Sequence, residues 1–371
     1  MKKIFSILLA VVLFIGCASF AFAEDGNMVT GTLNLVSFNV DGLPIPAALS
    51  STKRDPIKAT KLIAKEINAS DCDILSAQED FNLHPILKNG LDMQYATETS
   101  GGVAVGDGLN LFSKYPIYNV GRVPWKSAYG VYDCGSDELT PKGILYCTVE
   151  VADGVYIDVY NIHADAWEDE KSMQAKADQF DQLIELVEEH SGTDRAVILT
   201  GDFNTNYSVF REGYKNGQYK IDLCQKLMDD FIGHGFKDVW IEYNNGGNYD
   251  FTYGEMYERY GCAYPRVWDT LDHVYYRDGA GVSFELIEAV YDGFDCDEIS
   301  WDGHLSDHAA VRTKISYTAN LDEIKPLENK QVEKFDLVKY IMNAVTTLSK
   351  SLFKAIINLP ELIKNGIGWI K

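Results

Sequence analysis

The sequence predicts an α/β protein, on three observations. Apolar runs of strand length alternate with amphipathic helical stretches over one region, about 30–318. Acids, amides and imidazoles recur where those runs end. No internal repeat interrupts the pattern. Alternation of this kind argues for sheets covered by helices.

The elements follow in order. Leu33–Asn39 reads as a strand. Ile57–Ile67 reads as a helix with Ile63 and Ile67 on one stripe. Asp73–Gln78 is a buried strand ending at Glu79. Gly143–Val151 and Val155–Ile162 are two strands joined by an Asp153-Gly154 turn. A helix follows in which Met173, Ala177, Phe180, Leu183, Ile184 and Val187 share a face. Ala196–Thr200 is a strand running into Gly201-Asp202. Thr270–Tyr276 and Ala309–Ile315 are late strands. The segment 319–371 reads as a linker and an amphipathic helical tail. There Val338, Ile341, Val345, Leu348, Leu352 and Ile356 repeat at helical spacing, with Lys339, Asn343, Lys350, Lys354 and Asn358 on the other side. Over 337–371 five Lys face the single acid Glu361. Such a cationic amphipathic helix either lies in an anionic membrane surface or packs its apolar face on the 30–318 body or a second chain.

The N-terminus reads as a signal peptide, residues 1–23. Lys2 and Lys3 precede an apolar run, Ile4–Ile15, and Ala21-Phe22-Ala23 offers a small-x-small cleavage site. The run is too short to span a bilayer. A competing reading is lipoprotein processing at Cys17, after Ile15-Gly16, although Phe14 stands where Leu is usual. Cleavage after Ala23 implies export. It also removes two cations, taking the formal net charge of −22 to −24 over the remaining 348 of 371 residues. A surface this acidic repels phosphate backbones, which argues against indiscriminate nucleic-acid binding without excluding a nuclease. The plainer reading of the acidity is solubility. Six cysteines remain: Cys72, Cys134, Cys147, Cys224, Cys262 and Cys296. An even count outside the cell permits disulfides. No C-x-x-C pair suggests a zinc or redox motif, and Cys72 and Cys147 fit buried thiols in or beside strands.

Phosphate esters resist attack because negative oxygens shield the phosphorus. A catalyst needs a cation, a base for water, and donors for the transition state. Mg²⁺ suits the task, with Mn²⁺ or Ca²⁺ as alternatives: it prefers oxygen ligands and is held by few carboxylates. Asn39, Glu79, His163, Asp202 and Asn204 sit just past apolar runs, and His308 just before one. A single polar residue at a strand end is usually a turn former; six of metal-binding or proton-transfer type are harder to dismiss. In Gly201-Asp202-Phe203-Asn204, an extended stretch would point Asp202 and Asn204 to one side, while the same residues also favour a turn. Ser306-Asp307-His308 sets a hard-metal ligand beside a base.

Ser37-Phe38-Asn39, Gln78-Glu79, Asn161-Ile162-His163, Gly201-Asp202-Phe203-Asn204, Leu271-Asp272 and Ser306-Asp307-His308, in this order, resemble the endonuclease/exonuclease/phosphatase superfamily. That superfamily includes deoxyribonucleases, abasic-site endonucleases, inositol-polyphosphate phosphatases and sphingomyelinases. The resemblance implies a four-layer αββα sandwich of two mixed sheets with the site at one end. It implies Glu79 as the principal Mg²⁺ ligand, with Asn39 beside it and Asp307 as a second contributor. Asp272 would orient His308, which acts as general base or binds phosphate. His163 would act as general acid or donor to the phosphoryl oxygens. Asp202 would position or deprotonate water, and Asn204 would donate to the phosphate. Between Asp202 and His308 as base, His308 is the preferred reading.

In the deoxyribonuclease branch a Glu that pairs with the strand-end His opens the preceding strand. Here that segment reads Thr140-Pro141-Lys142-Gly143. Lys142 in place of the acid is similar to sphingomyelinases, and a cation there would bind substrate phosphate; the competing reading is an ordinary exposed lysine. His163 is followed by Ala164-Asp165-Ala166 and not by the Gln-containing run of bacterial sphingomyelinases. The expectation is therefore a secreted phosphodiesterase acting on a membrane lipid headgroup. The alternatives are a secreted nuclease acting on nucleic acid and a non-catalytic binding protein on the same fold.

Overall fold

The computed structural model describes residues 27–43, 54–103, 105–130, 137–138, 140–167, 169–205, 229–249, 270–294, 296 and 304–327. The signal segment 1–23, the tail 337–371 and Cys134, Cys224 and Cys262 lie outside these residues.

Two six-stranded mixed sheets face each other. In chain order the elements are β1 (Met28–Asn39), α1 (Pro56–Ala69), β2 (Ile74–Gln78), α2 (His84–Gly90), β3 (Tyr95–Ala96), β4 (Asn110–Ser113) and β5 (Ile117–Pro124). There follow β6 (Gly143–Ala152), β7 (Val155–His163), α3 (Glu170–His190), β8 (Ala196–Asp202), β9 (Lys237–Asp238), α4 (Val239–Asn245), β10 (Asp272–Arg277), β11 (Val282–Asp292) and β12 (Ala310–Asn320). One sheet runs β11-β12-β1-β2-β4-β3, the other β5-β6-β7-β8-β10-β9.

Strand alternation builds the layers. In β1, Leu33 and Leu35 point between the sheets and meet Leu145, Val159 and Ile198 from the other sheet. Val36 and Phe38 point the other way, under α1, with Leu62, Ile63 and Ile67. In the second sheet, Tyr160, Ile162, Val197 and Leu199 face outward to Phe180, Leu183 and Val187 of α3. The order helix, sheet, sheet, helix is the four-layer αββα sandwich the sequence resemblance implied. Both covering helices start on an aspartate cap. Asp55 accepts from the N–H groups of Ile57 and Lys58, with Pro56 in the first turn, and Asp169 accepts from those of Lys171 and Ser172.

Each sheet contains one parallel pair joined through a helix: β1–α1–β2 and β7–α3–β8. The carboxyl ends of all four strands lie at one end of the sandwich. The amino ends of β10 and β12, antiparallel to β8 and β1, arrive at the same end. Beneath it a buried amide pair joins the sheets: Gln78 Nε2 donates to Asn161 Oδ1 at 2.7 Å, and Asn161 Nδ2 donates to the carbonyls of Ala77 and Asn110. Cys72 and Cys147 are buried free thiols, and Cys296 is also free. Among the described residues no helix is long and apolar enough to cross a membrane.

Candidate active site

Register places the site. The parallel pairing of β7 with β8 sets His163 opposite Asp202, and the antiparallel pairing of β10 with β8 sets Asp272 opposite the same residue. Three of the candidate side chains thus form one row across the second sheet. Asn39, beside Gln78 at the end of the first sheet, faces that row. Its Nδ2 donates to Asp202 Oδ2 at 3.0 Å and to Glu79 Oε1 at 3.1 Å, so one amide ties the two sheets' carboxylates together. Its Oδ1 accepts from the Asp41 N–H.

Asp202 Oδ2 is the centre of the cluster. Besides Asn39, His163 Nε2 lies 3.4 Å away and His308 Nε2 3.7 Å away. Burial alone would raise the Asp202 carboxyl, but His308, His163 and Lys142 together hold it below its usual range. The two imidazoles differ in kind. Burial, reinforced by the cation of Lys142, pushes His163 well below the ordinary histidine value. Burial also opposes charge on His308, but Asp272 and Asp202 outweigh it and raise that ring well above. Asp272 Oδ2 sits 2.7 Å from His308 Nδ1 and is pushed up to about 6, mainly by burial. This bond fixes the His308 ring with Nε2 toward Asp202.

A second cluster lies on the first sheet's side. Glu79, at φ 55, stands just beyond β2. Burial and the charge of Asp307 raise its carboxyl. Asp41 is raised to about 7, first by burial, then by Asp307, with Arg54 opposing. Arg54, itself buried, pairs with the Asp41 carboxylate and donates to the carbonyls of Asp41 and Leu305. Glu79, Asp41 and Asp307 thus bring three carboxylates to one partly buried space, an oxygen donor set suited to a hard divalent cation. Asp202, Asp272 and His308 also offer ligand atoms within 4.8 Å of one another. Within this trio the Asp272–His308 hydrogen bond leaves His308 Nε2 directed at Asp202.

Asn204 does not lie on an extended stretch with Asp202. It adopts φ 47, its N–H donates to Asp202 Oδ1 at 2.9 Å, and its Nδ2 donates to the Ala164 carbonyl. The turn reading of Gly-Asp-Phe-Asn was therefore the right one for the backbone, and it still keeps both side chains at the site. Lys142 is committed to Asp137 and to the Ala164 carbonyl, 3.1 Å away, immediately behind His163. Asp41 and Arg54 had not been singled out in the sequence. Asp41 carried a usable signal, an acid two residues past Asn39 just before Gly42.

The profile of the Endonuclease/Exonuclease/phosphatase family matches residues 36–308. A sphingomyelinase of Mycobacterium bovis is 28% identical over 304 residues, covering 79% of this chain and 54% of its own length. The same figures hold for a sphingomyelinase of Mycobacterium tuberculosis. The chain thus spans about half the length of these curated relatives. Among solved structures, an endonuclease/exonuclease/phosphatase family protein from Bacteroides thetaiotaomicron superposes with a TM-score of 0.54 at 16% identity, over 78% of this chain and 98% of that one. Humanized D. rerio TDP2 superposes with a TM-score of 0.51 at 15% identity, over 76% and 98%. At such identities these likenesses speak for the fold.

Proposed function

The chain belongs to the endonuclease/exonuclease/phosphatase family, and on that premise we propose that it is an exported, Mg²⁺-dependent phosphodiesterase that cleaves the headgroup from a phospholipid of the sphingomyelin kind. One observation carries the reading: side chains from six segments remote in sequence, at 39, 79, 163, 202, 272 and 308, converge on one cluster linked by polar contacts of 2.7–3.7 Å. The sphingomyelinase relatives favour the lipid over other diesters.

Glu79 and Asp307, with Asp41 beside them, would hold the cation, and Asn39 keeps Glu79 in place through its amide. The ion supplies Lewis-acid neutralisation of the phosphoryl oxygens. The remaining work falls to the chain's own groups. Asp272 holds His308 through Nδ1, and in the fraction of the protein where that ring is neutral its Nε2 takes the proton of the attacking water. Asp202 Oδ2 orients that water. His163, kept neutral by burial, donates from Nε2 to a phosphoryl oxygen, and Asn204 donates beside it. Lys142 adds positive potential from behind His163.

The test offers purified protein with Mg²⁺ to sphingomyelin, phosphatidylcholine, plasmid DNA and inositol phosphates. Headgroup release that EDTA abolishes and Mg²⁺ restores is expected. Cleavage of DNA with no attack on lipid would overturn the substrate, and full activity without metal would overturn the mechanism.

A further inference from the structure

We propose that Lys176 and His273 are positioning residues that hold the Asp202–Thr205 turn by two consecutive backbone carbonyls; the inference rests on the phosphodiesterase reading of that site.

The turn is an improbable one to leave unsupported. At its start Gly201 has φ 147, and a Cβ there would lie 2.3 Å from the Ile162 carbonyl oxygen. At its end Asn204 occupies the left-handed region, which non-glycine residues adopt at some energetic cost. Asp202 and Asn204, both facing the reaction centre, depend on this shape.

Two basic side chains reach it from different elements. Lys176 lies on α3, on the face that also carries Met173 and Phe180, and is fully buried. Its Nζ donates to the Asn204 carbonyl at 2.6 Å and to the Trp167 carbonyl at 2.7 Å. It therefore joins the loop after β8 to the loop after β7, which carries His163. His273 lies on β10, next to Asp272. Its Nε2 donates to the Thr205 carbonyl at 2.7 Å, with Asp238 Oδ2 3.4 Å from Nδ1. Between the two, the Phe203 ring is buried against Phe180, Phe231, His273 and Tyr275 at centroid distances of 5.4–6.0 Å. Packing fixes Phe203, and the two donors fix the peptides that follow it.

An ammonium on the buried face of a helix is seldom the most stable choice. Taking an ammonium out of water is costly unless it meets well-placed acceptors. The direction of the Lys176 bonds, toward the backbone of two site loops, gives the charge a purpose that stability does not. Small displacements of a catalytic group act on turnover more than on substrate binding.

The experiment compares wild type with Lys176→Met and His273→Phe on a soluble chromogenic phosphodiester. It also follows hydrogen exchange of the peptide covering 202–205. For Lys176→Met, kcat should fall about 10- to 100-fold with KM within about twofold. The melting temperature should fall only modestly, from the two carbonyls that lose their donor, and exchange at 202–205 should speed up. Lys176→Gln, which keeps a donor, should recover part of the loss. His273→Phe should show the same split and decides the matter if Lys176→Met does not fold. Unchanged kcat, or a fall in kcat with unchanged exchange at 202–205, overturns the proposal. A wild type inactive on every diester would instead defeat the functional reading, while the exchange comparison would still decide whether these residues hold the turn.

Discussion

The hydrogen bond between His308 and Asp272 makes the sharpest demand on a single residue. Asp272→Asn exchanges the carboxylate that fixes the ring for a neutral amide. It should lower kcat by about 10²- to 10⁴-fold, the usual weight of a positioned acid–base group, with near-native circular dichroism. Steady-state kinetics on a soluble diester provide the check; turnover within about threefold of wild type would remove His308 from proton transfer. Glu79→Gln should raise the Mg²⁺ concentration for half-maximal activity at least about tenfold, read from a metal titration after EDTA stripping; an unshifted midpoint would place the ion elsewhere. Glu79 and His308 were visible in the sequence because one ends and the other precedes an apolar run, and Asp272 through the family resemblance. Arg54, Lys176 and His273 were not. A basic residue in a loop, a helix or a strand has no local mark showing that its nitrogens will meet carbonyls from elsewhere in the chain. Asn204 shows the complementary limit: its place at the site was legible, while its left-handed backbone depended on a side chain two residues earlier.

Elements were readable in proportion to their burial. β2, β7 and β8 are buried nearly throughout and stood out as apolar runs. β5 is largely half-buried, and β11 shifts register between Leu286 and Glu288, which breaks the alternation a reader looks for. The first five residues of β1 extend beyond the apolar run because they pair with β12 in a mostly exposed stretch. At the junction of element and site, Gly201→Ala would force a Cβ toward the Ile162 carbonyl oxygen. It should destabilise the fold by about 1–3 kcal/mol, measured by urea denaturation, and an unchanged midpoint would mean that β8 relaxes locally. The buried Gln78–Asn161 pair offers a cleaner probe of how the sheets hold each other. Asn161→Ala removes one of the acceptors of Gln78 Nε2 and takes a donor from the carbonyls of Ala77 and Asn110, and should cost about 1–3 kcal/mol.

The whole molecule acts on its substrate first through charge. With a net charge of −22, raising salt from about 50 to 200 mM shortens the screening length and should increase kcat/KM on a polyanion such as DNA, while leaving zwitterionic sphingomyelin vesicles nearly unaffected. A fall with salt on DNA would reveal a local basic patch that outweighs the global field. The last strand sets a further condition. β12 begins beside His308 and runs away from it for 11 residues, about 35 Å at ~3.3 Å per residue. Arg195 then takes the carbonyls of Lys325 and Pro326 near the start of β8, the end of that strand remote from Asp202. The described chain, at residue 327, therefore ends at the pole opposite the reaction mouth. A sandwich standing mouth-down on a bilayer would carry that end on its roof. Removing residues 337–371 should leave hydrolysis of a soluble diester untouched.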